Sequence, residues 1–224
     1  MKKKVKKSIK PCKSYKISVE GINCEVLYFE HLQELINEYD AAEYKVNFDV
    51  KKKNPLSFAK SRITVFSKKN KTNDYIKFIH VQDIEDYYDA YQRQKFEDLI
   101  DEIEVAKKEC KISTYDLAYS NYTFDLWMVL HKYNLTIQLT DRTKYYPYIN
   151  IGYNKKYQHM DDYKSEKEFK SILEQIQIED VLIAIERAHK IRNNHIANAH
   201  HIETHNGFSY YRDNPDLNIH FIIE

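Results

Sequence analysis

Glycine and proline are scarce in this sequence, with three glycines and four prolines among 224 residues. A loop that wraps nucleotide phosphates needs several closely spaced glycines, because the backbone must approach the phosphates. The sequence contains no such loop. We therefore do not expect the chain to hydrolyse ATP by itself, and any ATP hydrolysis would belong to a partner.

Cysteine is also rare. The chain has Cys12, Cys24 and Cys110, an odd number without the spacing of a metal site. Small secreted domains usually depend on a framework of paired cysteines. The pattern excludes a disulfide scaffold and favours a reducing compartment.

Long apolar runs are missing too. No run approaches the roughly 18 residues that a membrane span requires, and the N-terminus carries lysines where a signal peptide has an apolar segment. We expect a cytoplasmic protein that makes no contact with membrane.

The net charge is only +1, so no global charge attracts the chain to nucleic acid. Two local clusters of lysines stand out. Residues 1–16 contain eight lysines, and we predict a flexible basic arm over residues 1–14. The second cluster includes Lys51, Lys52 and Lys53, which either bind nucleic-acid phosphates or form a solvated surface.

Hydrophobic residues make up 42% of the chain, enough for the core of one domain over residues 15–224. Predicted strands alternate with predicted helices along its first part. The strands cover 15–19, 44–50, 75–81 and 111–118, and the helices cover about 26–36, 54–66, 91–109 and 124–131. This alternation predicts βαβ units, and hence an α/β fold with a mainly parallel sheet flanked by helices over residues 15–133.

The remainder, residues 134–224, has a different character. Residues 134–165 show no clear period and predict an insertion of loops and short elements. Residues 165–205 predict C-terminal helices, which end at Asn206-Gly207 in the manner of a helix C-cap. His201 and His205 are four apart, so they would share one helical face; a polar face is favoured there over a zinc site.

Acidic residues follow two of the predicted strands. Glu20 ends the first strand, and Asp83, Glu85 and Asp86 end the third. If these strands are neighbours, their carboxylates converge at one edge of the sheet, where ligands of such folds bind. Hard oxygen ligands suit Mg²⁺ or Mn²⁺. The alternative is that these residues only solvate turns and favour the following helix N-terminus.

Several sequence blocks, in order, resemble the RloB-like family. They are Ile17-Ser18-Val19-Glu20-Gly21, Asn54-Pro55-Leu56-Ser57, Val81-Gln82-Asp83-Ile84-Glu85-Asp86, the segment SNYTFDLWMVLH at 120–131, and Asn214-Pro215. The fourth block is similar to the family signature SNPxFExWLxLH. The resemblance implies a Toprim-like (Rossmann-like) fold and a magnesium-dependent nuclease of phage defence by abortive infection. It also implies an ABC-type ATPase as partner and DNA or tRNA as substrate.

The resemblance also implies roles for individual residues. Glu20 corresponds to a general acid or base, or a metal ligand, and Asp83 and Glu85 correspond to an Asp-x-Asp metal pair. This chain departs from the pattern because Glu stands in the second place. Asp125 could add a metal ligand beside Asp86, and His131 could contact the scissile phosphate or protonate a leaving group.

Other assignments are left with two interpretations. Asp125 and His131 are equally well explained as charges that favour the two ends of a helix, and Trp127 is expected in the core. Lys155 and Lys156 resemble a Tyr-x-Lys element that could approach the site. The competing function is a non-catalytic module, a nucleic-acid-binding or regulatory partner of the ATPase; a homo-oligomer is compatible with either.

Overall fold

The computed structural model describes residues 10–21, 23–69 and 76–223. In chain order the elements are β1 (Cys12–Val19), α1 (Cys24–Glu38), β2 (Lys45–Lys52), α2 (Pro55–Lys69), β3 (Ile76–Asp83), α3 (Ala90–Cys110), β4 (Tyr115–Asn121), α4 (Asp125–Lys132), α5 (Tyr146–Tyr153), α6 (Glu166–Leu173), α7 (Ile178–Ala197), β5 (Ile202–His205), β6 (Phe208–Tyr211) and β7 (Asp216–Leu217). Most of the predicted basic arm lies outside the described residues, and β1 begins within its last three positions.

The larger sheet has the strand order β2-β1-β3-β4-β7. Strands β1 to β4 are parallel, and the short β7 is antiparallel to β4. Helices cover both faces. The prediction of an α/β fold with a mainly parallel sheet flanked by helices is confirmed.

Local capping explains where the helices around this sheet begin. The Asn54 side chain accepts a hydrogen bond from the Ser57 N–H at 3.0 Å, just before Pro55 opens α2. The Asp89 carboxylate accepts from the N–H groups of Tyr91 and Gln92, both at 2.9 Å, and begins α3. These short polar side chains satisfy N–H groups that have no partner within the helix.

Strand β4 begins four residues later than the predicted start at Lys111. Lys111 has a left-handed backbone with φ 54°, and the N–H of Ile112 bonds to the carbonyl of Lys107 at 3.0 Å. This arrangement closes α3 in the Schellman manner. The residues read as the beginning of a strand therefore belong to the end of the preceding helix.

The prediction of helix up to His205 is wrong after α7. The chain instead forms an antiparallel hairpin of β5 and β6. Asn206 and Gly207 have φ angles of 46° and 82°, and they make its two-residue turn. An Asn-Gly pair suits such a turn because both central positions need positive φ, so the pair read as a helix C-cap is a hairpin signal.

The sheet has a hydrophobic cluster on each face, because side chains alternate along a strand. Ile17, Val19, Ile79 and Val81 face the cluster that contains α1 and α4, and Phe78, Tyr115, Leu117 and Tyr119 face the cluster that contains α3. Trp127 of α4 is fully buried in the first cluster, as predicted.

Among the described residues, no helix is both long enough and apolar enough to cross a membrane.

Candidate active site

The ends of β1 and β3 bring the first predicted carboxylates together. These strands are direct neighbours, with Val19 opposite Val81. The connection after β1 leads to β2 on one side, while β3 and β4 lie on the other. Such a switch in strand order opens a crevice at the carboxyl edge of the sheet. Glu20 and Asp83 lie at that crevice.

A cavity of about 350 Å³ occupies the crevice. We call it the acidic pocket, after the five carboxylates that line it, which are Glu20, Glu25, Asp83, Glu85 and Asp125. Helices α1 and α4 supply Glu25 and Asp125 from their first turns. The pocket therefore collects acidic residues from four separate stretches of the chain.

Asp83 and Glu25 are the two carboxylates of the acidic pocket that form no ion pair with a described residue. Asp83 is the more strongly perturbed of the two. Among the described residues, no side chain or backbone group forms a hydrogen bond or ion pair with its carboxylate. Loss of water raises its pKa well above the usual range, and the neighbouring Glu25, Asp125 and Glu20 charges raise it further. An ionised Asp83 would thus favour a cation beside it.

Glu25 is a site residue that the sequence analysis missed. Its carboxylate lies directly over Gly21, where a Cβ atom would overlap it. Glycine at this position lets the backbone approach the carboxylate closely. Burial raises the Glu25 pKa, with an additional contribution from the Asp125 charge. An acidic residue five positions after Glu20, in the first turn of a helix, was the available signal.

Three basic residues at the pocket were also missed. Lys95 bonds to Glu20 at 2.6 Å, Arg142 to Glu85 at 3.0 Å, and Lys164 to Asp125 at 3.3 Å. The Gln82 amide also donates to Glu20, and the Thr123 hydroxyl donates to Asp125 at 2.8 Å. These contacts fix the orientations of the carboxylates around Asp83.

Asp83 and Glu85 are two residues apart, but they do not lie on one extended strand. Strand β3 ends at Asp83, and Glu85 has φ 60°, so the extended backbone stops between them. The Glu85 N–H bonds to the carbonyl of Tyr122 at 2.9 Å, and this contact holds the turn. Glu85 still lines the acidic pocket, but because of a tight turn rather than strand geometry.

Asp86 is not part of the acidic pocket. Its carboxylate accepts from the N–H of Tyr88 at 3.0 Å, and it lines a smaller cavity of about 260 Å³ beside the pocket. The two cavities share Glu85 and Arg142.

His131 is not brought to the acidic pocket. It is buried in the core, where one ring nitrogen lies 3.1 Å from the Tyr28 hydroxyl and the other donates to the carbonyl of Trp127 at 2.8 Å. Burial lowers its pKa to about 4. Asp125 and His131 occupy opposite ends of α4, so this geometry does not support a contact between His131 and a phosphate at the pocket.

The predicted phosphate-binding lysines divide into two groups. Lys51, Lys52 and Lys53 are exposed at the end of β2, where Lys52 pairs in register with Val19, and so they share the sheet edge of the acidic pocket. Lys155 and Lys156 follow α5 and do not line the pocket; Lys155 donates to the Ser171 hydroxyl at 2.8 Å.

The two late histidines do not share a helical face. His201 contacts Glu203 and His205 contacts Asp101, each at 2.9 Å, in and beside the hairpin. Over the part of the chain that the structure describes, no three His, Cys, Asp or Glu side chains converge closely enough to enclose a metal ion.

Magnesium does not require such an enclosure. It keeps several waters and is often held by one or two carboxylates together with substrate phosphates. Asp83, with an unpartnered carboxylate among other oxygen donors, fits a partly hydrated Mg²⁺ or Mn²⁺. Glu25, Asp125 and Glu20 are the candidates for a second ligand, since the charges of all three act on Asp83.

The parallel sheet with its crevice between β1 and β3 defines a Rossmann-like α/β protein. The family model for RloB-like proteins matches residues 15–224, and the chain belongs to this family. No curated protein and no solved structure gives a significant match.

Proposed function

We propose that the chain is a magnesium-dependent nuclease that hydrolyses phosphodiester bonds in DNA or RNA, including tRNA. The observation that supports this most is the acidic pocket, where two of the five carboxylates, Asp83 and Glu25, form no ion pair with any described residue. Perturbed carboxylates gathered in a cleft are typical of functional sites, because folding alone disfavours them.

Asp83 would hold the metal together with Glu20 or Glu25. When bound, magnesium activates a water molecule and stabilises the charge on the leaving oxygen. Lys95 and Gln82 orient the Glu20 carboxylate from two sides, so that one of its oxygens can take a proton from the attacking water or ligate the metal. Glu85 and Asp125 complete the negative lining.

The positive groups would act on the substrate. Arg142 is about half exposed at the rim of the pocket, and Lys51, Lys52 and Lys53 extend along the same sheet edge. Arginine and lysine side chains neutralise phosphates and give an affinity that falls with salt. They would guide the backbone of the nucleic acid toward Asp83.

Membership of the RloB-like family supports a wider setting for this activity. The nuclease would act in the cytoplasm as the effector of phage defence by abortive infection, with an ABC-type ATPase as its partner. The absence of a glycine-rich phosphate loop in the sequence is consistent with ATP hydrolysis by that partner. The chain could also act as a homo-oligomer.

The test is cleavage of DNA and of tRNA by the purified chain with Mg²⁺ or Mn²⁺, with and without the ATPase. We expect Asp83→Asn and Glu20→Gln to reduce cleavage at least about 100-fold, as the loss of a catalytic group commonly does. Asp116→Asn is the matched control, because Asp116 is exposed and pairs with Lys77 at the other end of the sheet. Cleavage that survives both pocket substitutions would refute the proposal.

A non-catalytic module is the second candidate, and one observation favours it. Lys95, Arg142 and Lys164 already pair with three of the five carboxylates, which is the arrangement of a site that needs no metal. The chain would then bind nucleic acid or regulate the ATPase. Lack of cleavage in every condition, together with a stable complex with the ATPase, would support this role.

A further inference from the structure

Two exposed tyrosines lie beside the acidic pocket and have no role in the site described above. The Tyr88 side chain is 60% exposed and the Tyr91 side chain is 75% exposed. Single exposed apolar residues are common on protein surfaces. These two are neighbours in sequence at the start of α3, and their position relative to the pocket gives them significance.

Helix α3 places Tyr91 next to the pocket. Tyr91 and Lys95 are four residues apart, so they lie on the same face of the helix. The Lys95 ammonium bonds to Glu20 of the acidic pocket at 2.6 Å. A group that lies on the Tyr91 ring is therefore one helical turn from the carboxylates.

Tyr88 is held in place by three contacts. Its hydroxyl donates to the Asp213 carboxylate at 2.6 Å, and its ring meets Tyr87 edge to face at 5.7 Å. The guanidinium of Arg212 lies 5.9 Å from the centre of the ring. The hydroxyl is fixed by Asp213 and Arg212 lies over one face of the ring, while Tyr88 remains 60% exposed.

The smaller cavity lies between the acidic pocket and the segment that carries the two tyrosines. It is lined by Gln92 of α3 and by Tyr122, and it shares Glu85 and Arg142 with the acidic pocket. The backbone N–H of Tyr88 bonds to the Asp86 carboxylate on its wall, while Tyr88 itself lines a separate cavity beside Asp213. The two tyrosines therefore flank the far side of the smaller cavity, seen from Asp83.

The charge around the smaller cavity is mixed, with acidic groups in excess. Glu85, Asp86, Asp89 and Asp141 line it together with Arg142, while Arg93 and Arg212 lie beside Tyr87 and Tyr88. A duplex is bound mainly through many phosphates and needs an excess of cations. Unpaired bases can instead stack on aromatic side chains, a contact that tolerates such a surface.

We propose that Tyr88 and Tyr91 form a stacking platform for unpaired bases, and that the substrate of the acidic pocket is single-stranded nucleic acid. This inference rests on the proposed nuclease, because the strand would carry its scissile phosphate past Arg142 toward Asp83. Bases next to that phosphate would lie on the tyrosine rings. Duplexes would bind poorly, since their bases are already stacked.

The test is equilibrium binding of the full chain to fluorescent oligonucleotides in EDTA, which separates binding from metal-dependent cleavage. Unpaired RNA, unpaired DNA and a blunt duplex of about 12 nucleotides suit the size of known single-strand sites. We expect one or both single strands to bind at least about tenfold more tightly than the duplex. The two single-stranded arms show which sugar is preferred.

Substitutions identify the platform. We expect Tyr91→Ala and Tyr88→Ala each to weaken binding roughly 5- to 100-fold, while Tyr91→Trp retains it. Tyr39→Ala is the matched control, because Tyr39 is also exposed but follows the far end of α1, at the opposite edge of the sheet. The logarithm of affinity should fall with the logarithm of salt with a slope of only about −1 to −2, which corresponds to roughly two or three phosphates.

Equal binding of duplex and single strand, unchanged affinity in both tyrosine variants, or no binding of any oligonucleotide would overturn this inference. Its failure is distinguishable from that of the nuclease. Loss of cleavage in Asp83→Asn with unchanged binding in Tyr91→Ala would retain the nuclease and reject the platform. Tyrosine-dependent binding without cleavage by the wild-type chain would retain the platform and reject the nuclease.

Discussion

Asp83 and Asp216 are two aspartates whose pKa is raised by loss of water, yet their surroundings differ. They lie on either side of β4, with Asp83 opposite Ser120 and Asp216 opposite Asn121. Asp216 is fully buried, and it receives hydrogen bonds from the Tyr119 hydroxyl, from Arg192 at 3.4 Å and from the Tyr211 N–H at 3.3 Å.

The partners of Asp216 limit its pKa to about 6, whereas the pKa of Asp83 rises well above its usual range beside other carboxylates. Buried polar groups normally have partners within the fold. Asp216 meets this rule and has the character of a structural residue. Asp83 is half-buried at a pocket and has no partner among the described residues. A positive group or ion in the pocket would compensate its charge, and this indicates a binding site.

The comparison predicts the largest loss of stability at Asp216. Asp216→Ala leaves the partly buried Arg192 guanidinium without its carboxylate and the buried Tyr119 hydroxyl without an acceptor, so the free energy of unfolding should fall by about 3 kcal/mol. The free energy of unfolding is measured by urea denaturation, with circular dichroism as the signal. Asp116→Ala is the control and should change stability by less than about 1 kcal/mol, because its ion pair is on the surface. A similar small loss for Asp216→Ala would contradict the assignment.

His131 provides a second structural group, with a pH dependence of known sign. Its pKa in the folded chain is about 4 and its ordinary value is 6.5, so its contribution to stability is complete above pH 6.5 and is lost as the pH falls toward 4. When the pH is lowered from about 7 to 5, the free energy of unfolding of the wild type should fall further than that of His131→Phe. The difference between the two falls should be on the order of 2 kcal/mol.

The same variant tests whether His131 takes part in cleavage. If the ring only supports α4 in the core, folded His131→Phe should cleave as wild type does at pH 7. An activity that disappears while the variant remains folded would restore the catalytic role that family resemblance suggested.

Gly21 tests how tightly the acidic pocket is packed. Gly21→Ala would push a methyl group against the carboxylate end of the Glu25 side chain, which can turn aside, so we expect a cost at the low end for overpacking, about 1–2 kcal/mol. Thermal unfolding should show most of that loss restored in Gly21→Ala/Glu25→Ala, because the obstructing carboxylate is then absent. If the stability losses of Gly21→Ala and Glu25→Ala simply add in the double variant, the two positions are not in contact.

The smallest expected effect on stability is at Asp83, and its sign is opposite. Asp83→Asn removes a charge that burial and neighbouring carboxylates disfavour, so unfolding at neutral pH should cost on the order of 1 kcal/mol more than in wild type. Chemical denaturation at low ionic strength without divalent ions detects this gain. Destabilisation would place Asp83 with Asp216 among the structural residues.

The sequence allowed prediction of the parts of the site that follow from strand order. Glu20 and Asp83 converge because parallel neighbouring strands end at the same edge. Glu85 reaches the pocket for a different reason, because its backbone has a positive φ. An acidic residue after a predicted strand gives no sequence signal for that conformation. The hairpin was missed because an Asn-Gly pair is compatible with both a helix end and a tight turn.

The basic residues of the pocket could not have been predicted locally. Lys95 lies 75 residues from Glu20, and Arg142 lies 57 residues from Glu85. Their contacts depend on how α3 and the segment after α4 pack at the sheet edge, and no short pattern encodes that. His131 is the opposite case. The family motif suggested a role for it at the site, but packing places it in the core.

The most direct test of the central claim is Mn²⁺ binding to the purified full-length chain, followed by electron paramagnetic resonance of the free ion. The account predicts saturable binding to wild type and to Asp116→Asn, and an affinity at least about tenfold lower in Asp83→Asn, as the loss of a ligand should cause. Equal affinity in Asp83→Asn, or no binding to the wild-type chain, would contradict a metal site at Asp83.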